Sequence, residues 1–118
     1  MLKVVLSMHL CAEEVIEKFN MLQYNVDCGE YILKKVREGE IRPKAFNQLT
    51  DDDFVSMVLD MHISDNNLSE MFSTTEYQVK KRRKRQDLPR GRALVNKWFF
   101  ENRKPVDINT IIKNISDI

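Results

Sequence analysis

Apolar residues recur three and four positions apart along much of this chain, and that spacing is the strongest limit on its fold. Phe54, Met57, Val58 and Met61 stand at i, i+3, i+4 and i+7, and Ile108, Ile111, Ile112 and Ile115 repeat the pattern. Val15, Phe19 and Leu22 make a further stripe with Ile16 beside it. Such a stripe buries one face of a helix, whereas a half-buried strand would need strict alternation. Three glycines and three prolines in 118 residues leave too few breakers for a loop-rich all-β chain. The fold class expected is all-α, a compact bundle of about six or seven short helices in a single domain, residues 1–118.

Caps and breakers divide that bundle. Ala12 to Tyr24 reads as one helix and Cys28 to Gly39 as a second, with Ile32, Leu33 and Val36 inward and Gly39 as its stop. Ile41-Arg42-Pro43 is a break, and Ala45–Leu49 makes a single turn. Thr50 is placed to cap the next helix, and Asp51, Asp52 and Asp53 suit its positive end. That triplet therefore reads as a cap and not as a metal site. Ser64 or Asp65 caps a short helix ending near Phe72, and Ser73-Thr74-Thr75 forms a tight break. A longer helix runs from about Thr75 to Asp87, closed by Leu88-Pro89-Arg90-Gly91. Arg92 to Asn102 is helical again, Pro105 stops it, and Asp107 caps the last helix.

Charge is strongly segregated along this order. Residues 1–79 carry 7 Lys/Arg against 14 Asp/Glu, and residues 80–104 carry 11 against 2. The basic block opens with six consecutive cations, Lys80-Lys81-Arg82-Arg83-Lys84-Arg85. A block of this kind points to nucleic acid or another polyanion. Six cations in a row point all round a helix, so they cannot all enter one groove. Some must meet the groove walls or stay in solvent.

Residues 50–88 thus read as helix, short helix, tight turn and basic helix, and there the chain resembles the helix-turn-helix DNA-binding superfamily. The resemblance rests on Asp65 to Lys84, about a third of the chain with its flanks, and its layout is like that of small bacterial or phage transcription regulators. Leu68 and Phe72 match the apolar positions of the first helix, and Ser69 the small residue where the helices cross. Val79 matches the position that pins the recognition helix, Leu88 closes the contact behind it, and Thr74 or Thr75 would cap it. Two positions depart from the pattern. Ser73 stands where glycine is usual, which demands an unusual backbone of a residue with a Cβ. Arg82 stands where an apolar residue is usual, which predicts a helix weakly anchored beyond its first turn.

The resemblance implies a recognition helix in the major groove, with early residues on base edges and cations on phosphates. Thr75, Glu76, Tyr77, Lys80, Lys81 and Lys84 then face the groove, and Arg82, Arg83 and Arg85 complete the cationic set. Arg90 and Arg92 are phosphate contacts, and Lys97 and Arg103 are weaker ones. The implied partner is double-stranded DNA, and the implied role is sequence-specific transcriptional regulation by occlusion or recruitment at a promoter. Proteins of this kind usually bind as dimers, with recognition helices about 34 Å apart. The C-terminal isoleucine stripe or the Trp98-Phe99-Phe100 cluster is the surface for such a homodimer. Three parts follow from this reading: acidic N-terminal helices (1–49), the helix-turn-helix (50–88) and C-terminal helices (89–118). The acidic region either completes the core or binds a protein or inducer.

Other readings of the same residues compete with this one. A basic helix can be a merely solvated face, and six basic residues also have the form of a nuclear localisation signal. No aromatic residues interleave with the cations as in single-strand binders. Tyr77 and Val79 supply too little apolar surface for a membrane-surface helix, and no apolar run reaches the roughly 20 residues of a membrane span. From a different class comes a protein–protein adaptor or anti-repressor whose basic helix docks an acidic partner. His9, Cys11, Cys28 and His62 match no zinc spacing. A Gly-rich phosphate loop, a His-Glu-x-x-His motif and a nucleophile setting are all lacking, so neither catalysis nor a cofactor is expected. Met1 to Cys11 is short and interrupted as an apolar stretch and is followed at once by acidic residues, so it is not read as a signal peptide. Two cysteines make no disulfide framework, and the expected location is the cytoplasm, on the nucleoid when bound to DNA.

Overall fold

A single helix, α1, runs from Ala12 to Arg37 in the computed structural model, which describes residues 12–117. The sequence predicts two helices here, parted between Tyr24 and Cys28. They merge because Asn25 finds its partners elsewhere in the fold. Its side chain is fully buried; Oδ1 accepts from the Val106 N–H at 2.8 Å, and Nδ2 donates to the Lys104 carbonyl at 3.3 Å. Gly29 stays helical and serves packing instead, since a Cβ there would stand 3.1 Å from both the Met61 carbonyl oxygen and the Ile63 side chain. The helix ends at Arg37 and Gly39 is its stop as expected: its φ of +79° lets the Glu40 N–H reach back to the Lys35 carbonyl at 2.9 Å.

After the Pro43 break and a 3-10 turn, Phe46–Gln48, helix α2 (Asp51–Val55) begins on its Thr50 cap. Thr50 Oγ1 accepts from the Asp53 N–H at 3.2 Å. The helix then widens into a π turn, Ser56–Asp60, in which the Met61 N–H reaches five residues back to the Ser56 carbonyl at 3.1 Å. Widening turns Met57, Val58, Leu59 and Asp60 inward together. Leu59 and Asp60 therefore join the expected stripe of Phe54, Met57, Val58 and Met61. The buried Asp60 carboxylate is matched by Arg103, whose Nε and Nη2 donate to it at 2.5 and 3.0 Å.

Helix α3 (Asp65–Met71) starts on Ser64, whose Oγ accepts from the Asn67 N–H at 3.2 Å. Helix α4 (Glu76–Arg85) starts on Thr75, whose Oγ1 accepts from the Gln78 N–H at 3.1 Å. Between them Ser73 takes φ +51°, the left-handed conformation that the glycine position of the sequence pattern demanded. Ser73→Gly is therefore expected to raise stability by about 1 kcal/mol in urea melts, by relieving the Cβ clash of that backbone. A loss of stability would show that the serine side chain contributes more than the strain costs.

Helices α5 (Gly91–Phe100) and α6 (Ile108–Ile115) complete six α-helices, with no β-strand among the described residues. Asp107 caps α6 through the Thr110 N–H at 3.3 Å, as expected. Behind α6 the chain pairs with the loop at Pro43: the Lys44 N–H donates to the Ile115 carbonyl at 2.8 Å, and the Asp117 N–H to the Arg42 carbonyl at 2.8 Å. One continuous core joins Ile32 of α1, Phe54, Leu68, Val79, Trp98, Phe99 and Ile115, all wholly buried. Much of the surface expected for a homodimer contributes to this core. Trp98, Phe99, Ile111 and Ile115 are spent inside the fold, and of that set only Phe100 is substantially exposed.

No helix among the described residues is long and apolar enough to cross a membrane. Cys28 lies buried in the core. The Met1–Cys11 stretch, with His9 and Cys11, lies outside the described residues.

Candidate nucleic-acid interface

The α3–turn–α4 unit is held by the residues that the sequence pattern singled out. Leu68 and Val79 are wholly buried, and Phe72, Ser69 and Leu88 nearly so. Ser69 is small enough to sit where the helices meet, and its hydroxyl donates to the Asn66 carbonyl at 2.6 Å, which leaves no orphan polar atom there.

Arg82 is corrected from a cation facing DNA to the anchor of α4. It occupies the apolar position of the pattern and is 7% exposed. Its guanidinium donates to the Phe46 carbonyl at 2.8 Å, to the Leu49 carbonyl, and to Asp51 Oδ1 at 2.9 and 3.2 Å. The same group lies 5.0 Å from the Phe46 and Phe54 ring centroids. The helix is thus firmly fixed beyond its first turn, contrary to the expectation from sequence. In return the Arg82 guanidinium holds the Asp51 carboxyl below the usual carboxylate range.

Arg83 is corrected in the same way. It is 7% exposed and donates to Asp65 at the start of α3, with Nε to Oδ1 at 3.1 Å. Burial and the neighbouring Arg90 guanidinium push its pKa down. Arg90 reaches Asp65 Oδ2 at 2.7 Å but keeps its own side chain largely in solvent. Two guanidiniums on one carboxylate leave a net positive corner between α3, α4 and the start of α5. The weaker expected phosphate-binding residues are also committed within the fold. Arg103 clamps Asp60, and Lys97 pairs with Glu101 at 3.1 Å.

What remains outward on α4 forms one stripe. Tyr77, Lys80, Lys81 and Lys84 stand at i, i+3, i+4 and i+7, all exposed, with Tyr77 at 68%. Arg85 adds a cation at the end of the helix, and Glu76 pairs with Lys80 at 3.7 Å. Lys81, Lys84, Arg85 and the exposed Arg92 have no carboxylate within 4.0 Å among the described residues. Thr75 is at the helix start with its hydroxyl in the cap. Gln78 is exposed on the same side and was missed because no motif marks a lone glutamine.

Two hollows flank this stripe. One, of about 570 Å³, lies between α3, α4 and α5 and has Lys80, Arg83, Arg90 and His62 in its wall. The other, of about 530 Å³, lies against the Phe46–Asp51 segment and is edged by Gln78, Lys81 and Arg85. Burial holds the His62 pKa below its ordinary 6.5, and its Nε2 is buried without a partner. Among the described residues no group of three or more His, Cys, Asp or Glu side chains could hold a metal ion. The exposed face of α4 offers charge and hydrogen-bond donation.

Fold and face together define a small all-α bundle that presents one cationic helix on a buried scaffold. No protein-family model, curated protein or solved structure matches the chain.

Proposed function

We propose that the chain binds double-stranded DNA through α4 and acts as a transcriptional regulator of the helix-turn-helix kind. One observation carries this reading. The cations of α4 are sorted, with Arg82 and Arg83 locked inward and Lys80, Lys81 and Lys84 outward on a single face that Tyr77 shares. A major groove admits one helix, and a helix so anchored enters it without ordering its backbone at the moment of binding. Lys81, Lys84 and Arg85 meet phosphates or guanine edges, and Tyr77 packs on a thymine methyl or a phosphate. Arg90 and Arg92, at the start of α5, meet the groove wall on the Lys80 side. Glu76 can accept from a cytosine amino group once Lys80 turns to phosphate. Occlusion of a promoter or recruitment to it is the resulting mechanism.

Fluorescence anisotropy with a random-sequence duplex, at low and near-physiological salt, tests the reading. Binding is expected to weaken steeply with salt. The K80A/K81A/K84A variant should bind far more weakly, with the log–log salt slope lower by about 0.9 for each phosphate left without its lysine. A chain that ignores the duplex at low salt but binds a polyglutamate peptide is the adaptor alternative, and that outcome would overturn the DNA reading.

A further inference from the structure

A helix lying in the major groove has a phosphate wall on either side, so a DNA-binding face needs cations along both edges. On α4 one edge is Glu76, Lys80 and the Arg83–Arg90 pair; the other is Gln78, Lys81 and Arg85, again three and four apart. The second edge changes character along its length. Toward the helix end its hollow contains Asp51, a largely exposed carboxylate that Arg82 already engages. Toward the helix start, beside the Ser73–Thr74 turn, lies a separate hollow of about 630 Å³ whose lining includes no carboxylate. Two cations, Arg42 and Lys44, stand in the wall opposite that turn, and Gln78 closes the α4 side.

These two residues come from the acidic half of the chain and are carried to α4 by the fold. Their backbone is clamped by the end of α6 and the residues after it: the Lys44 N–H donates to the Ile115 carbonyl and the Arg42 carbonyl accepts from the Asp117 N–H, each at 2.8 Å. Neither side chain has a carboxylate within 4.0 Å among the described residues, whereas Lys35 and Arg37 nearby are paired with Glu40 and Glu70. Arg42 is exposed; Lys44 is half-buried and also borders a hollow with Asp52 and Asp53, so Arg42 is the stronger of the two.

We infer that Arg42 and Lys44 form a second phosphate-binding wall, with a DNA backbone phosphate seated in the hollow beside the Ser73–Thr74 turn. This rests on the DNA reading of α4. In it, Lys80, Arg90 and Arg92 grip one strand, while Arg42, Lys44 and Lys81 grip the other.

Salt titrations of duplex binding by the full chain separate the two ideas. R42Q/K44Q should keep the wild-type fold by circular dichroism and lower the salt slope by about 0.9 for each phosphate no longer neutralised. R42K/K44R should restore the wild-type slope. A wild-type slope in R42Q/K44Q, when K80A/K81A/K84A has lost binding, would overturn the second wall and leave the DNA reading in place. Failure of the wild-type chain to bind any duplex at low salt would overturn both.

Discussion

Replacing Arg82 with alanine is expected to cost about 3 kcal/mol of folding stability, although the residue lies in the middle of a six-cation run. The change strands the Leu49 carbonyl, leaves the Phe46 carbonyl with only the Leu49 N–H, and opens a gap beside the touching Phe46 and Phe54 rings. Each orphaned buried polar group costs about 1–3 kcal/mol, and the cavity adds to it. Asp51 moderates the loss, since its carboxylate is 58% exposed and rehydrates readily. Lys81→Ala, one residue away and fully outward, should stay within about 0.5 kcal/mol of wild type. Urea melts of the two variants side by side make the check. If both melt together, Arg82 is not the anchor of α4.

The pH dependence of that difference has a definite sign. Arg82 lowers the Asp51 pKa, so the carboxylate's contribution is complete above its unfolded value and is lost as pH falls through the lowered one. Arg82→Ala removes this contribution at neutral pH already. The stability gap between the two proteins should therefore narrow in acid.

Asn25→Ala is the second large effect, also about 3 kcal/mol. The Asn25 amide is fully buried midway along α1 and is the partner of the Val106 N–H, 81 residues away in sequence. Without it that N–H sits in the core with no acceptor, the Lys104 carbonyl loses a donor, and a side-chain volume empties. A urea melt gives the magnitude, and hydrogen exchange gives the site. The Val106 amide should lose its protection in the variant before the amides of α3 and α4 do. A protected Val106 amide together with wild-type stability would mean that α1 is docked by apolar packing alone.

Much of this architecture was legible in local spacing. The apolar stripes of α6 and of α2 with its π turn, the caps Thr50, Ser64, Thr75 and Asp107, and the stop at Gly39 all depend on neighbours within a turn or two. The left-handed Ser73 was legible too, because a three-residue turn between packed helices forces that backbone whatever residue occupies it. The break in α1 was misread. Asn25 is a weak helix former when its amide competes for nearby backbone, and here its partners lie in the segment before α6. The π turn was equally hidden, since the Arg103 that meets its Asp60 lies 43 residues further along the chain.

The division is sharpest in the basic helix. The order of residues alone determined that a strongly cationic helix follows a tight turn, and that its six cations cannot all share one face. Which cations are available was decided by the tertiary structure. Arg82 and Arg83 went inward because carbonyls and carboxylates from residues 46–51 and from Asp65 converge on them, and a guanidinium with five fixed donors can be fully satisfied there. Arg42 and Lys44, lost in an acidic half of the chain, came to stand beside the turn because the end of α6 and the residues after it clamp their loop there. Charge along a chain is set by composition, but charge on a surface is set by which side chains the core has already claimed.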